Sequence, residues 1–343
     1  MKKQKRILAF ALALVLALSL VACGENKAPA QTPSATPEKA PNTSQPILVT
    51  IGTGTVGGGW YSMGGALANV LTEKMPNASV TSIATNASLE NMSMLEGGKL
   101  EIGMANTDVV YQSARGLNGY QQYDSLCTLC MMDEIYLTVF VADNSDIKSF
   151  KDLKGKRLGT GTAGSGLYLM VEAILNEYGW TYDDVQPYQA STSQQCDALK
   201  DGNIDACCFL MTGKSGASST VVELTSTFKC HMIPIDDEVL TSLSSKAPYY
   251  LDDYIAGGWV SSNPEPLHTF GLNTQMLVRE DMDEQVAYDL IKTIMENMDE
   301  LTSIHSAFKV MTKDAVANGL AVPLHPGAEK YLKEIGATIS YLD

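Results

Sequence analysis

The sequence has 343 residues, of which 45% are hydrophobic, and a formal net charge of −15. This length and composition suffice for two packed lobes, whereas the negative charge excludes a nucleic-acid-binding protein, because such a protein needs a basic surface. An acidic surface favours a soluble monomer and repels anions at long range, so an anionic ligand must be held by local hydrogen-bond donors.

The N-terminus resembles that of an exported lipoprotein. A basic stretch, residues 1–6, precedes an apolar run from Ile7 to Val21, which at about fifteen residues is shorter than the ~20 of a membrane-spanning helix. The run ends in Leu-Val-Ala-Cys23, which resembles a bacterial lipobox. Residues 1–23 are therefore predicted to be a signal peptide ending at a lipidated Cys23, whose two acyl chains would anchor the protein to the outer face of the cell membrane. An ordinary cleavage site with a chance cysteine is the alternative.

Residues 24–46 are rich in Ala, Pro, Thr and Ser and lack apolar periodicity, which predicts a disordered tether. No later segment approaches the length of a membrane span. If the chain serves transport, the membrane channel is expected to be another polypeptide.

From residue 47 the pattern alternates between strands and helices. Strands are predicted at residues 47–51, 79–84 and 100–104, and helices at residues 61–74 and 88–97, the second with Ser88 as its N-cap. This βαβαβ order predicts a parallel sheet whose loops gather at the carboxyl ends of the strands.

The same order begins again near residue 156. The predicted strands are residues 156–160, 185–189 and 204–210, and the predicted helices are residues 166–178 and 193–200. Crossing strands near residues 135–142 and 271–278 are expected to join the two units, and the helices at residues 284–298 and after Pro326 to pack on the first. The sequence therefore predicts an α/β fold with two lobes and a central cleft, lobe 1 from residues 47–138 and 257–343 and lobe 2 from residues 139–256.

Six cysteines follow Cys23, and two of them form a CxxC pair, Cys127 and Cys130. The pair lies in an apolar run that predicts a buried strand, on which positions i and i+3 point to opposite faces. No second CxxC or nearby histidine supports zinc, so no metal site is predicted and the thiols are expected to be buried and structural. The sequence leaves open whether any of the six form disulfides.

A glycine loop follows the first strand of each unit. Residues 52–57 (GTGTVG) and 159–164 (GTGTAG) both match GxGxxG between a strand and a helix, as in dinucleotide-binding sites. Such a site also needs an acidic residue at the end of the second strand, and neither unit has one there. No cofactor is therefore predicted. Two facing helix N-termini can instead clamp a small anion. The alternative is that the glycines only form tight turns between strand and helix.

Segments distributed along the chain, in a fixed order, match one known family. They are residues 53–61 (TGTVGGGWY), 85–91 (TNASLEN), 95–98 (LEGG), 102–108 (IGMANTD), 153–157 (LKGKR), 161–166 (GTAGSG), 198–206 (ALKDGNIDA) and 322–328 (VPLHPGA), with Tyr331. Together they resemble the TAXI family of solute-binding proteins of TRAP transporters over residues 47–336. Three positions depart from the family pattern, namely Trp60 and Trp259, where tyrosine is common, and Lys214, which follows Gly213 in place of proline.

The resemblance implies a two-lobe periplasmic-binding-protein-like fold of type II, the flytrap type. It also implies a protein that captures a small anionic or zwitterionic solute, an organic acid or an amino acid such as glutamate, and delivers it to a TRAP-type permease. An ABC-type substrate-binding lipoprotein is the main alternative, followed by a secreted hydrolase and an adhesion lipoprotein. Because the three departures lie near the expected cleft, the ligand of other family members is not assigned to this protein.

The ligand-binding residues are predicted at the ends of strands and the starts of helices. Asp108 is expected either to accept a hydrogen bond from a ligand amine or only to cap a helix. Lys214 is expected either to pair with a second carboxylate of the ligand or to be a solvated loop lysine. The full set of predicted ligand-binding residues is Thr55, Trp60, Tyr61, Asn86, Ser88, Asn91, Asn106, Asp108, Thr162, Ser165, Gly166 and Lys214.

No catalytic residue is predicted. The four histidines lack ligand spacing, and neither a Ser-His-acid order nor an HExxH or GxSxG motif is present. The sequence therefore predicts a binding protein and not an enzyme.

Overall fold

The computed structural model describes residues 46–213 and 216–343. The strands are β1 (Ile47–Gly52), β2 (Ala78–Ile83), β3 (Ile102–Asn106), β4 (Leu126–Ala142), β5 (Arg157–Gly159), β6 (Gln186–Tyr188), β7 (Ala206–Thr212), β8 (Cys230–Met232), β9 (Leu251–Ile255) and β10 (Leu267–Arg279). The helices are α1 (Gly59–Lys74), α2 (Ser88–Glu96), α3 (Thr107–Arg115), α4 (Gly166–Glu177), α5 (Thr192–Lys200), α6 (Ser219–Thr227), α7 (Asp237–Lys246), α8 (Glu284–Glu296), α9 (Met298–Ile304) and α10 (Pro326–Glu334).

Two parallel βαβ units share one continuous sheet with the strand order β2-β1-β3-β10-β4-β7-β5-β6. In the first unit β1 pairs in parallel with β2 and β3. In the second unit β5 pairs in parallel with β6 and β7. Because strands of a parallel unit all end at one edge, each unit collects its strand-to-helix loops there.

The long antiparallel strands β4 and β10 join the two units, as the crossing strands were predicted to do. The first part of β4 pairs with β10, and its second part, from Ile135 onward, pairs with β7. The side chains from Leu129 to Met132 pack in one hydrophobic core, and alternate side chains from Ile135 to Val141 pack in another. Along β10 the same change of core falls between Leu272 and Met276. We call the parts around these two cores the first and the second lobe.

The C-terminal helices belong to the first lobe, as predicted. Leu290 of α8 and Ala328 of α10 are fully buried in the same core as Ile51 of β1 and Leu67 of α1. By contact, residues 44–343 form one compact unit, so the predicted lobe boundaries at residues 138 and 257 stay predictions.

A bulge in β4 changes the expected facing of the CxxC pair. Cys130 pairs with Met276 and Thr128 pairs with Leu277, which leaves Leu129 as the extra residue of the bulge. As a result Cys127 and Cys130 both contact the first core, whereas simple alternation predicts opposite faces. All six cysteines of the described residues are free thiols.

One capping prediction is wrong. The N-cap of α2 is Ala87, with φ 68°, and not Ser88, which is the first residue inside the helix. The Ser88 hydroxyl accepts a hydrogen bond from the backbone N–H of Asn106 (3.1 Å) instead. The side chain therefore joins α2 to the end of β3.

Several predictions lie outside the described residues. These are the signal peptide, the lipidated Cys23, all but the last residue of the tether, and Lys214. Within residues 46–213 and 216–343, no helix is long and apolar enough to cross a membrane. The same part of the chain contains no group of three or more His, Cys, Asp or Glu residues that could hold a metal ion.

Candidate ligand-binding site

A cavity of about 80 Å³ lies between the two glycine loops, at the carboxyl ends of the strands. Its walls come from both lobes. From the first lobe they include Gly54, Thr55, Gly58, Gly59, Trp60, Ala87 and Asn106, and from the second Gly161, Thr162, Ser165, Gly166, Leu167, Thr192, Gln195, Phe209, Leu210, Thr212, Ser218 and Val221. This volume is well below the roughly 300–1,000 Å³ of pockets for drug-sized molecules, so the cavity suits a small solute.

The first glycine loop brings the N-terminus of α1 to the cavity. Gly58 is the N-cap of α1, and no side chain accepts from the first backbone N–H groups of the helix. Gly57 has φ +82°, and a Cβ atom at this position would lie less than 3.0 Å from Ser193 and Thr220 of the second lobe. Glycine is needed there because the backbone is left-handed and because the opposite lobe packs directly against it.

The second glycine loop brings the N-terminus of α4 to the same cavity. Ser165 is the N-cap of α4, and its hydroxyl accepts a hydrogen bond from the backbone N–H of Tyr168 (3.2 Å). A Cβ atom on Gly166, the first helical residue, would lie less than 3.0 Å from the amide of Asn106 in the first lobe. Two helix N-termini, each with a partial positive charge, therefore reach one small space.

Buried polar atoms without a hydrogen-bond partner are concentrated around this cavity. Both amide atoms of Asn106, the Thr162 hydroxyl and Oε1 of Gln195 lack a partner within the described residues. Asn106 and Gln195 are both 0% exposed. Because an unpaired buried polar group costs about 1–3 kcal/mol, such groups are expected to bind a solute or water in the working protein.

The described lining residues include no charged side chain. Asp133, a buried acid, does not line the cavity but accepts a hydrogen bond from the indole N–H of the wall residue Trp60. Burial raises the pKa of Asp133 to about 6, against the lowering effect of the hydrogen bonds from Thr274 and Trp60. Within the described residues, the cavity therefore offers a solute only backbone groups and neutral side chains.

The structure places six of the predicted ligand-binding residues on the cavity wall. They are Thr55, Trp60, Asn106, Thr162, Ser165 and Gly166. That they bind a ligand remains a prediction, but their side chains or backbone are positioned to contact one.

Five predicted residues lie away from the cavity wall. Tyr61, in the first turn of α1, and Asn86, in the loop before α2, are both exposed at the surface. Asn91 is buried, and its Nδ2 donates to the carbonyl groups of Gly52 (3.2 Å), Thr53 (2.7 Å) and Met104 (2.8 Å). The hydrogen bonds of Asn91 tie α2 to two strands.

Ser88 and Asp108 complete this group. Ser88 accepts from the backbone of Asn106, as described above. Asp108 is 2% exposed, and its Oδ1 accepts from the backbone N–H of Val109 (2.8 Å). Burial raises the pKa of Asp108 to about 7. The carboxyl group is therefore not placed where it would accept from a ligand amine in the cavity.

The sequence prediction missed Gln195. It is the fourth residue of α5, the helix after the second strand of the second unit, and Asn91 is the fourth residue of α2 in the first unit. A Cβ atom on Gly52 would collide with the Asn91 amide, and one on Gly159 with the Gln195 amide. Aligning the two units on their glycine loops would have found Gln195. The wall residues Thr192, Thr212 and Ser218 were missed as well.

The four histidines, all in the described part, do not line the cavity. His268 lies between Asp237 and Asp252, and His325 is the N-cap of α10. Ser165 thus has no histidine base beside it, and its hydroxyl is engaged as a helix cap. The geometry offers no Ser-His pair for nucleophilic catalysis at this site.

A family model described as NMT1-like matches residues 51–336, most of the chain. The chain belongs to the NMT1-like family. The matched region of this NMT1-like protein begins within β1 and ends just after α10, so it includes both lobes and the whole cavity. The strand order and the two cores confirm the predicted two-lobe α/β fold.

Several solved structures are similar to the NMT1-like chain. One is the alkanesulfonate-binding protein SsuA from Xanthomonas axonopodis pv. citri bound to MOPS, with 16% identity over 84% of each chain and a TM-score of 0.45. Another is the periplasmic aliphatic sulphonate binding protein SsuA from Escherichia coli, with 17% identity over 84% of each chain and a TM-score of 0.43.

A third similar chain comes from a structure described as the molecular and structural basis of glutathione import in Gram-positive bacteria via GshT and the cystine ABC importer TcyBC of Streptococcus mutans. It has 12% identity and a TM-score of 0.48, and the alignment covers 77% of the NMT1-like chain and 95% of the other.

Proposed function

We propose that the chain is an extracytoplasmic solute-binding protein that captures a small organic anion between its lobes and delivers it to a membrane permease. The observation that carries the proposal is a cavity between two helix N-termini, lined by residues that also carry buried polar atoms without a partner. Amide and hydroxyl groups that lack partners in the protein are available to a solute. The protein acts as a binding protein and not as an enzyme.

The location follows from the N-terminal sequence. The basic stretch, the short apolar run and the lipobox-like residues before Cys23 support export and a lipid anchor on the outer face of the membrane. The tether at residues 24–46 would then let the lobes reach a permease in the same membrane. Labelling with radioactive palmitate, lost in a Cys23→Ala variant, tests the anchor.

Two classes of permease are candidates. The motifs that resemble the TAXI family support a TRAP-type partner, whereas the ABC importer named for the Streptococcus mutans chain supports the ABC alternative. Solute uptake by cells that carry the chain and its permease separates the two. An ionophore that collapses ion gradients should stop uptake through a TRAP permease, and depletion of ATP at a maintained gradient should stop an ABC importer.

The binding function is tested by thermal unfolding of the full chain with a panel of organic acids, sulfonates and amino acids. A solute that binds only the folded state stabilises it by about 2.7 kcal/mol at a concentration of 100 times Kd, which raises Tm. At least one small anion is expected to do so. A panel without any shift would contradict the proposal.

A pair of variants links the shift to the cavity. Asn106→Ala removes two unpartnered amide atoms from the cavity wall, and we expect it to abolish the ligand-dependent shift. Ser113→Ala removes a hydroxyl that is also buried and unpartnered but lies on α3 away from the cavity. This control is expected to keep the shift. An equal ligand-dependent Tm shift in the two variants would mean that the binding site lies elsewhere.

A further inference from the structure

Asp133 is a buried acid at the point where the sheet passes from the first lobe to the second. On β4 it lies between Met132, which packs in the first core, and Ile135, which packs in the second, and it is 0% exposed. The hydroxyl of Thr274, on the other crossing strand β10, donates to its Oδ1. The backbone N–H of Asp133 donates to that same hydroxyl (3.2 Å). The carboxyl group is therefore enclosed between the two strands that join the lobes.

The same carboxyl group is one side chain away from the solute cavity. It accepts a hydrogen bond from the indole N–H of Trp60, and Trp60 is part of the cavity wall. Because Asp133 and Trp60 are both buried, solvent and salt screen a charge at this place much less than they screen a surface charge. A charge on Asp133 therefore acts on whatever the cavity holds.

Among the residues that the structure describes, no cation offsets a charge on Asp133. The strands β7 and β10 and helix α1 face it with neutral side chains, and the one charged group that acts on its pKa is Glu134, the next residue of β4, which raises it. The segment Ser306–Val310, which packs on β4, carries Lys309 and follows His305, but neither of these acts on the Asp133 carboxyl. Burial without a counter-charge is thus the main reason why the pKa of Asp133 lies near 6.

Protonation of Asp133 changes the charge beside the cavity but keeps the cavity wall in place. A neutral carboxyl group still accepts through its carbonyl oxygen and gains an O–H donor. The indole N–H of Trp60 therefore has an acceptor in both protonation states. What an anionic solute experiences is the gain or loss of one negative charge.

The charge of a bound anion and that of ionised Asp133 repel each other. Two like charges separated by about one large side chain, roughly 10 Å, change an equilibrium by about tenfold at an effective dielectric constant of about 20. The repulsion ends when the carboxylate takes a proton from the solvent. By linkage, the anion then favours protonation by the same factor as protonation favours the anion.

We propose that the protein binds its anionic solute together with a proton, which Asp133 takes up when the cavity holds the anion. The inference rests on the proposed binding function and adds a proton linkage to it. The proton passes from the solvent to a carboxylate oxygen, and no other bond changes. Affinity for the solute is accordingly highest in an acidic medium and falls as the pH rises and Asp133 ionises.

The test starts with thermal unfolding of the full chain in acetate, butyrate, pyruvate, lactate, succinate, glutamate and ethanesulfonate. The anion that raises Tm most is then titrated calorimetrically at pH 6.5 in buffers of different ionisation enthalpy, which counts the protons taken up. With a pKa of about 6 before binding and a tenfold linkage, we expect an uptake of about 0.5 proton per anion. Kd for the ionised solute should rise about fivefold to tenfold from pH 5.5 to pH 8. These measurements need no variant.

A pair of variants assigns the proton. Asp133→Asn removes the titrating group but keeps an acceptor for the indole N–H, so its proton uptake should fall below ~0.1 and its Kd should stay within about twofold over the same pH range. Asp108→Asn is the matched control. Asp108 is also a buried acid, and burial raises its pKa to about 7, but its carboxyl accepts from the backbone of Val109 and not from a wall residue. This variant should keep the proton uptake.

An anion that binds without proton uptake, or with proton release, would overturn the inference and leave the binding function standing. Uptake that persists in Asp133→Asn, or that disappears in Asp108→Asn, would overturn it as well. If Asp133→Asn does not fold, the native uptake and its retention in Asp108→Asn decide. If no anion raises Tm, the proposed function fails and the inference fails with it.

Discussion

The two lobes carry an amide at the same position and use it differently. Asn91 in the first lobe and Gln195 in the second each occupy the fourth position of the helix after the second strand, and each lies above the glycine that ends the first strand. The Asn91 amide donates to three carbonyl groups, and its Oδ1 accepts from Thr85 (2.7 Å). The Gln195 amide donates one hydrogen bond, to Ala190, and its Oε1 has no partner within the described residues.

The difference shows that one structural position can hold a saturated amide in one lobe and an unsaturated amide in the other. A Cβ atom on Gly52 would lie less than 3.0 Å from Oδ1 of Asn91, and one on Gly159 would lie as close to Oε1 of Gln195, so the two amide oxygens occupy equivalent places and differ in their hydrogen-bond partners. A hydrogen-bonding group that is saturated by its own lobe stabilises that lobe. A group left unsaturated lowers stability slightly and is available to a solute.

The largest expected effect is on folding, through Asn91→Leu. The variant removes the three hydrogen bonds that Nδ2 donates and the one that Oδ1 accepts from Thr85, each worth about 0.5–1.5 kcal/mol, although the Thr53 carbonyl keeps the Thr85 hydroxyl as a donor. We expect the free energy of unfolding to fall by at least ~3 kcal/mol in urea denaturation. Gln195→Leu loses one hydrogen bond and should cost about 1 kcal/mol or less. Similar losses in the two variants would contradict the assigned difference.

The next effect is on closure of the lobes, through Gly166→Ala. The new Cβ would lie less than 3.0 Å from the fully buried Asn106 amide, and overpacking of this kind costs about 1–3 kcal/mol. Because Gly166 and Asn106 lie on opposite sides of the cavity, we expect this cost to fall on the closed, solute-bound form and solute affinity to fall by about tenfold to 100-fold. Calorimetry measures the affinity. Gly65→Ala in α1, where no atom lies within 4 Å of the new Cβ, is the control and should bind normally.

The corresponding change in the first glycine loop, Gly57→Ala, should weaken binding less. Its Cβ would meet the hydroxyl ends of Ser193 and Thr220, which can rotate away. The cost of the left-handed backbone is present in the open and the closed state alike, so it lowers stability and not affinity. A loss of affinity equal to that of Gly166→Ala would show that both loops limit closure in the same way.

The smallest effect concerns the helix caps. Ser165→Ala removes the side-chain cap of α4 and should lower the free energy of unfolding by about 1 kcal/mol. The first loop has no side-chain cap on α1, so Thr55→Ala should change it by about 0.5 kcal/mol or less. Thermal unfolding without solute measures both. Equal losses would mean that Thr55 also caps its helix.

The sequence by itself determined the two βαβ units, the crossing strands and the paired glycine loops, because periodicity, glycines and helix caps are local signals. It also allowed six of the cavity residues to be predicted, because strand ends and helix starts meet at one edge of a sheet. It did not determine the bulge at Leu129 or the cap at Ala87, which depend on the pairing of distant strands.

Only the tertiary structure decided which buried polar side chains lack a hydrogen-bond partner among the described residues. Asn91 and Gln195 look alike in the sequence, and Asn106 looks like any residue at a strand end. Whether an amide is satisfied depends on the carbonyl and hydroxyl groups that the fold brings within about 3 Å of it, and these come from residues far away in the chain. That information is held in the packing of the lobes and not in any local pattern.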